Sequence, residues 1–553
     1  MIRQRREYWI AAILFLVVLV LRILYAAHYR IDSDEHQHLH VVWGWTKGMI
    51  PYRDYFDNHA PLFQALVSPF FGLLGERPDI IVPMRLLMIL PFGLSVFLVG
   101  KIGAMAFSTR TGLWAALFSA ACFRFFFVST EFRPDDLWAL LWFATILVAI
   151  SGDVPYRRCL VVGLLAGVAF CVSMKTVLMM FALVAASVIV IILRSIDDRA
   201  VPWQRIARCV LLLFGGLVVY PALTILFFRW HGALTPMYDC VILHNLVPDP
   251  KAHPIHLSLL KCLAFLVVPV VGSIVVYRRS NRDQSLIRAV WLFLVAACYY
   301  ITLKTLWPFA TPEDYLPSDP LFMIFLAAAV LAVGRFLRER LRIPEIVLPL
   351  VLACAGIVWI VRSQSPFSDA TVDKIGQVKT ALLLTQPDEY VMDSKGETIF
   401  RKRPFYYVLE GMTGLGMKAG LIKDTIPERL VATETPLATV HRMPVRAADF
   451  IRQNYLPIAF RLSVLGQLLQ MTDEDATCEI RVPASYTIVS ERGPFNGTLN
   501  GVPFPGSMRL EPGVYRIHRD GGSGALAIVW SRAIEKGFSP FAPLKEDIPT
   551  AQD

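Results

Sequence analysis

The sequence predicts an α-helical protein threaded many times through a membrane and ending in a polar domain on one side of it. Three observations carry this. Of 553 residues, 55% are hydrophobic and 18% are charged, and the mean hydropathy is +0.52, too apolar for an ordinary soluble chain. Apolar runs of bilayer length recur as far as residue 362, and from Ser363 to Asp553 the chain turns polar, with Pro, Gly and charges throughout.

The first run, Tyr8 to Ala27, is nearly unbroken Ile, Leu, Val and Ala and matches the roughly 20 residues that a hydrocarbon core demands. A signal peptide would have a shorter apolar centre and a small-residue cleavage site, whereas this flank runs into Tyr29, Arg30 and an acidic loop. Comparable runs occupy 80–100, 112–130, 134–150, 159–174, 176–194, 207–228, 257–277, 287–306, 319–338 and 344–362, which makes about 11 transmembrane helices.

Lys and Arg mark the orientation. They gather in alternate loops, at Arg3, Arg5 and Arg6, at Lys101 and Arg110, at Arg157 and Arg158, at Arg194, Arg199 and Arg205, at Arg278, Arg279 and Arg282, and from Arg335 to Arg342. Those loops are expected on the cytoplasmic side. The N-terminus is then cytoplasmic, and the tail lies outside with the loops at 28–79, 131–134, 229–256 and 307–318. The net charge of +10 reflects this topology, and no nucleic-acid partner is inferred from it. Eight of nine Cys lie in or beside the spans, and only Cys478 falls in the tail. No disulfide within that domain is available, which fits a bacterial inner membrane and a periplasmic tail better than a secretory compartment. Asn496-Gly-Thr is a glycosylation acceptor only if the compartment is eukaryotic.

Ionisable residues cluster towards the outer ends of the spans. Arg85, Arg124, Lys175, Lys261 and Lys304 all fall within about two turns of such an end. Each alone could snorkel to the interface; five together form a collar suited to a lipid phosphate.

The first outer loop reads Arg30-Ile-Asp-Ser-Asp-Glu-His-Gln-His-Leu-His and continues to Gly48. Ser33 or Asp34 can cap a helix there. Leu39, Val42 and Trp43 share a side, with Trp45 nearby, suiting an element in the interface plane. Asp34 is then held at the membrane surface, where a carboxylate can act as a general base. A helix cap alone explains Asp34 but not its clustering with Asp32 and Glu35. The second outer loop, Thr130-Glu-Phe-Arg-Pro-Asp-Asp136, adds carboxylates and Arg133 on the same face, in a pattern that also fits a structural salt bridge. Met174-Lys-Thr176 is a tight outer turn that aims Lys175 at the cleft. His36, His38, His40 and His59 invite a metal reading, but only His36 and His40 share a helical face, so no metal ligands are assigned. No cofactor is assigned either, and a carboxylate-bound divalent cation stays open as an alternative.

These residues resemble the GT-C superfamily of glycosyltransferases, and in particular the branch (family 39-like) that holds protein O-mannosyltransferases, the lipid A aminoarabinose transferase and the Rgt-type galacturonosyltransferases. Asp34-Glu35 stands where such enzymes carry an acidic pair after the first span. Gly48-Met-Ile-Pro-Tyr-Arg-Asp54 and His59-Ala-Pro-Leu-Phe63 resemble the family sequence next to that pair, and Glu131-Phe-Arg-Pro-Asp135 resembles their second acidic loop. Gly163-Leu-Leu-Ala-Gly167 leading to Lys175 resembles a further stretch. Asp314-Tyr-Leu-Pro317 resembles a segment in which a basic residue precedes the Tyr, and Asp314 departs from it.

The resemblance covers roughly residues 8–360 and is poorly specific for donor or acceptor. It implies a membrane hexosyl- or pentosyltransferase using a polyprenyl-phosphate-linked sugar and acting on a glycan, lipid or protein by inverting single displacement. Carried over by position, Asp34 is the base, and Glu35 and Asp135 orient substrate or base. Lys175, Arg53, Arg133 and Lys304 bind the donor phosphate, and His59, Glu131 and Tyr315 bind substrate. A transporter or flippase of lipid-linked sugars is the alternative, disfavoured by the apolar midplane and the lack of a visible repeat.

The polar tail is expected to divide in two. Residues 363–475 mix a helical pattern at Val372–Leu384 with short strands such as Tyr390-Val-Met392, giving an α/β domain. Residues 476–553 alternate in the manner of a small β domain, at Glu479-Ile-Arg-Val, Tyr486-Thr-Ile-Val, Gly513 to His518 and Ala525 to Trp530. The membrane domain is accordingly 1–362.

Overall fold

A computed structural model describes residues 2–151, 155–198, 203–246, 255–279, 283–307, 310–521 and 523–542. The outer loop expected at 229–256 lies partly outside the described residues, as does the one at 307–318. Among the described residues, eight helices are long and apolar enough to cross a membrane, the first at Arg5–His28 and the last at Asp319–Leu341. This makes the chain a multi-pass membrane protein. The count of 11 is not reached. The run expected at 112–130 is broken into helices Thr109–Ala120 and Phe123–Val128, and Pro134–Ile150 and Val347–Ser363 have 17 residues each.

A buried arginine secures the far end of the second of these broken helices, Phe123–Val128. Arg22, in the first span, is 1% exposed and donates from Nη1 to Phe126 O at 2.6 Å, Ser129 Oγ at 3.0 Å and Thr130 Oγ1 at 2.6 Å. A guanidinium with several donors satisfies the carbonyls and hydroxyls at this helix end, which no lipid could do. The spans themselves meet closely where side chains are small. A Cβ on Gly163 would stand 2.1 Å from Leu213 O, and one on Gly216 would stand 2.6 Å from Leu160 O. Helices Pro155–Val172 and Trp203–Trp230 therefore touch backbone to backbone.

Ion pairs separate the two sides of the membrane domain. On one, Arg110 Nε meets Glu7 Oε1 at 2.8 Å and Arg338 Nη1 meets Glu345 Oε1 at 2.6 Å, with Arg110 also on Glu345. The charge pattern puts all of these loops on a single face. On the other, Ala370 N donates to His28 O at 3.0 Å and leads into helix Val372–Leu384, where the C-terminal domain begins.

The C-terminal domain holds two sheets. In the larger, Val391–Met392 pairs in parallel with Leu437–Ala438. Next come Leu462–Leu469, Leu526–Trp530, Ala484–Ser490 and Met508–Leu510, with Tyr455–Ala459 on the side of Leu462–Leu469. The smaller sheet centres on Gly513–Arg519 between Asp475–Ile480 and Gly497–Leu499. The boundary expected at 475/476 is therefore crossed. Leu526–Trp530, buried at every position, lies between strands from both sides of it, and one apolar core runs from Ala381 to Ala533.

Candidate active site

The helix after the first span is Ser33–Thr46. Its cap is Asp32, not Ser33 or Asp34: Asp32 Oδ1 accepts from Asp34 N at 3.0 Å, and Glu35 Oε2 accepts from Asp32 N at 2.9 Å. This reciprocal pair satisfies amides that would otherwise stay open at the helix start. Glu35 through Gly44 are buried, so the helix packs its apolar side within the protein. The C-terminal domain covers it, with His40 Nδ1 at 2.8 Å from Ile399 O.

Glu35 faces inward. Its side chain is fully buried and receives Arg85 Nε at 2.7 Å, Arg85 Nη2 at 2.5 Å and Phe132 N at 2.7 Å. Arg85 also donates to Tyr29 O at 2.7 Å. With its oxygens engaged, Glu35 pins the two acidic loops together and faces away from the cavity, so of the two roles expected of it, orienting substrate or base, its place suits the second.

Asp34 faces outward into a cavity, its side chain 26% exposed. Two cations grip it. Arg133 Nη2 donates to Oδ2, and Lys395 Nζ, from the C-terminal domain, donates to Oδ1. Burial pushes the Asp34 carboxyl up, but Arg133 and Lys395 outweigh it and hold the group well below the usual carboxylate range. Arg133 is a hub rather than a free phosphate ligand, since it also meets Asp32 at 3.2 Å, Glu131 at 3.1 Å and Glu313 at 3.1 Å. Glu131 lies behind the cavity wall, where burial pushes its carboxyl up to about 8, with Glu35 and Asp32 adding to the shift and Arg133 opposing it.

Lys395 escaped sequence reasoning. It sits in a turn built by Asp393, whose carboxylate accepts from Gly396 N at 2.7 Å, Thr398 N at 2.8 Å and Thr398 Oγ1 at 2.7 Å. Gly396 has φ +82, and a Cβ there would stand 2.7 Å from His40 Cβ, so only glycine lets the turn press against the helix. The Asp-x-x-Gly spacing is legible as a turn. Its target, 361 residues away, is not.

The cavity measures about 790 Å³ and opens between the membrane and C-terminal domains. Asp34, His59, Asp135 and Lys175 line it, as expected, together with His38, which the sequence raised only for a metal, and Glu313 and Glu410, which it did not single out. Lys175 Nζ binds Asp314 and lies 3.6 Å from Asp135 Oδ1. Burial lowers the Lys175 ammonium, but Asp135, Asp314 and Glu313 hold it above its ordinary value. The departure at Asp314 thus has a reason: the buried carboxylate caps Thr311 N at 2.9 Å and anchors Lys175. His59 Nδ1 is 2.9 Å from Asp57 Oδ1. Burial disfavours the imidazolium, but Asp57 raises the His59 value overall, while burial and His59 lower that of His38.

Three expected residues stand apart. Arg53 is exposed, paired with Asp54 at 2.8 Å and donating to His231 O at 3.0 Å. Lys304 is exposed on the face of Tyr315, 5.0 Å from its ring, and Arg124 lies 4.0 Å from the same ring. Neither Lys304 nor Tyr315 lines the cavity. Among the described residues, no three His, Cys, Asp or Glu side chains converge in a way that could hold a metal ion. His36 is buried with Nδ1 unpartnered, whereas His40 is committed to Ile399.

Residues 58–220 match the family model of dolichyl-phosphate-mannose-protein mannosyltransferases. No curated protein matches the chain. Among solved structures, ArnT from Cupriavidus metallidurans in the apo state superposes with a TM-score of 0.53 at 12% identity, covering 83% of this chain and 98% of that one. The same protein bound to undecaprenyl phosphate gives 0.53 at 13%, covering 82% and 97%. At that identity the likeness is one of fold. A mannosyltransferase-type segment set within this shared fold is the likeness expected of a GT-C membrane glycosyltransferase.

Proposed function

We propose that the chain moves a sugar from a polyprenyl-phosphate-linked donor to a hydroxyl of a glycan, lipid or protein acceptor, by one displacement that inverts the anomeric carbon. The observation that carries this reading is the juxtaposition of Asp34, Asp135 and Lys175 around one cavity at the membrane boundary. Undecaprenyl phosphate bound in the similar ArnT structure supports a lipid phosphate as the leaving group. The bias of Lys and Arg towards the opposite loops supports an extracytoplasmic site, with the N-terminus in the cytoplasm of a bacterial inner membrane.

In the reaction the acceptor oxygen forms its bond to the anomeric carbon, the bond from that carbon to the phosphate oxygen breaks, and the acceptor proton passes to Asp34. Asp34 held low by Arg133 and Lys395 is a weak base. Proton transfer therefore comes late, once the acceptor oxygen has become acidic through bond formation. Lys175 stands where charge grows on the leaving phosphate. A half-buried cation already oriented by Asp314 and Asp135 loses little freedom in meeting it. These protein cations do the work that a divalent ion would otherwise do, so a chelator is expected to leave the rate unchanged.

The experiment uses the purified chain in liposomes with a radiolabelled polyprenyl-phosphate sugar. Label appearing on an acceptor, with matching release of polyprenyl phosphate, supports transfer. Movement of intact donor across the bilayer without its consumption overturns it and favours a flippase.

A further inference from the structure

A second cavity, of about 780 Å³, lies on another face of the helix that carries Asp34. Helical spacing sets them on different sides: Asp34 and His38 face the first cavity, and Gln37 and His40 face the second. The wall between them is thin. Phe56, in the second cavity, packs 4.8 Å from His244, whose Nε2 is 3.0 Å from Glu410 Oε1 in the first.

Two kinds of side chain dominate this second cavity. One is aromatic: half-buried Tyr406 and Tyr407 are backed by the buried rings of Phe56 and Phe405 in a continuous wall, with ring centroids 5.2 Å apart for Phe56 and Tyr407, 5.1 Å for Tyr406 and Tyr407, and 5.9 Å for Phe405 and Tyr407. Tyr390 lies half-buried in the same lining. The other is cationic. Lys402, Lys423 and Arg429 are exposed there, and none meets a carboxylate among the described residues. The nearby acids are taken, Asp54 by Arg53 and Asp393 by Arg403. Below them Gln37 is 1% exposed and its Oε1 has no partner, a cost that a bound hydroxyl would remove.

Flat rings suit the apolar faces of sugar rings, and unpaired cations attract anions. From this pairing we propose that the second cavity binds an anionic saccharide, one carrying carboxylate or phosphate groups, as the portion of the acceptor remote from the reacting hydroxyl. The acceptor role rests on the transferase reading above; the binding of an anionic saccharide does not. The site also accounts for the arrangement of the C-terminal domain, which supplies Phe405, Tyr406 and Tyr407 of the aromatic wall and the three cations on one side of the helix and the Asp34 partner Lys395 on another.

Binding is measured on the full chain in detergent, with a hyaluronan oligosaccharide as acidic probe, a malto-oligosaccharide of equal length as neutral probe, and inorganic phosphate as the bare anion. The acidic probe is expected to bind, and joint replacement Lys402→Ala, Lys423→Ala, Arg429→Ala to weaken it by more than about tenfold. Tyr390→Ala is expected to weaken it by about threefold to tenfold. All four side chains are exposed or half-buried, and a thermal melt checks that the variants stay folded. Equal binding of acidic and neutral probes overturns the charge argument. Phosphate competing as well as the saccharide overturns the aromatic one, and an unaffected triple variant places any binding elsewhere. In Asp34→Asn the probe should still bind. If it does and that variant keeps full transfer activity, the base assignment fails while this site stands.

Discussion

The first loop carries two carboxylates on consecutive residues, and their surroundings diverge at once. Asp34 opens onto a cavity and is held by one cation from each domain, Arg133 and Lys395. Glu35 is sealed, with Arg85 and the Phe132 amide as its partners. A helix turns by about 100° per residue, so neighbours at a helix start can serve opposite sides. The difference teaches that an acidic pair in such a loop is a hinge between chemistry and architecture. The capping interaction of Glu35 with the Asp32 amide fixes the turn from which Asp34 projects.

The sharpest way to break this contrast is Asp34→Asn. Removal of the base at constant shape should lower transfer by about 10²- to 10⁴-fold, the range general base catalysis contributes, with little change in thermal melting. It is read from label transferred per unit of folded protein. Retention of wild-type rates would put the base elsewhere in the cavity, Asp135 being the nearest candidate. Glu35→Gln should invert the pattern. Leaving Arg85 buried without its carboxylate costs about 3–5 kcal/mol, so the melting temperature falls sharply while the folded fraction keeps its activity. An unchanged melt would mean that the Arg85 pair does not hold the loops.

How much of this arrangement is readable depends on the range of the interaction. The long spans are legible because a bilayer demands a continuous apolar run, and that demand leaves a local trace. A helix of 17 residues, or a run broken between Ala120 and Phe123, keeps the apolar composition of a span, so composition marks the run and not the length of the helix within it. Asp34, Asp135, Lys175 and His59 are legible because their loops carry local motifs, and topology brings those loops to one side. Arg53, Lys304 and Tyr315 carry similar local signals but project away from the cavity, a matter of side-chain direction that no motif records. Lys395 and the insertion of Leu526–Trp530 between two earlier strands arise from contacts across long stretches of chain. Alternation identifies a strand but not its neighbour.

A smaller effect should separate the two cations on Asp34. Lys395→Met removes the one supplied by the C-terminal domain and leaves Arg133. Asp34 acts as a base only when ionised, so its titration sets the acid limb of the activity profile. Its value is held low by these cations; with one gone it rises, and the acid limb moves to higher pH. Lys395→Arg keeps the charge and should restore the limb towards its original position. A rate that falls equally at every pH in both variants would make Lys395 a packing residue only.

The smallest effects are expected where sequence and geometry disagree. Lys304→Ala and Arg53→Ala would weaken donor binding if a ring of cations at membrane depth collectively held the lipid phosphate. In the structure both side chains are exposed, Lys304 against Tyr315 and Arg53 against Asp54, and neither lines the cavity that contains Lys175. An exposed charge is screened by salt water, so each variant should keep the donor KM of the parent. Lys175→Ala measured alongside should raise it, since that ammonium is only partly exposed and stands in the cavity wall itself. A rise of similar size in all three would show that the donor phosphate is held outside the cavity, on the face shared by Lys304 and Tyr315, and would move the leaving-group site away from Asp34.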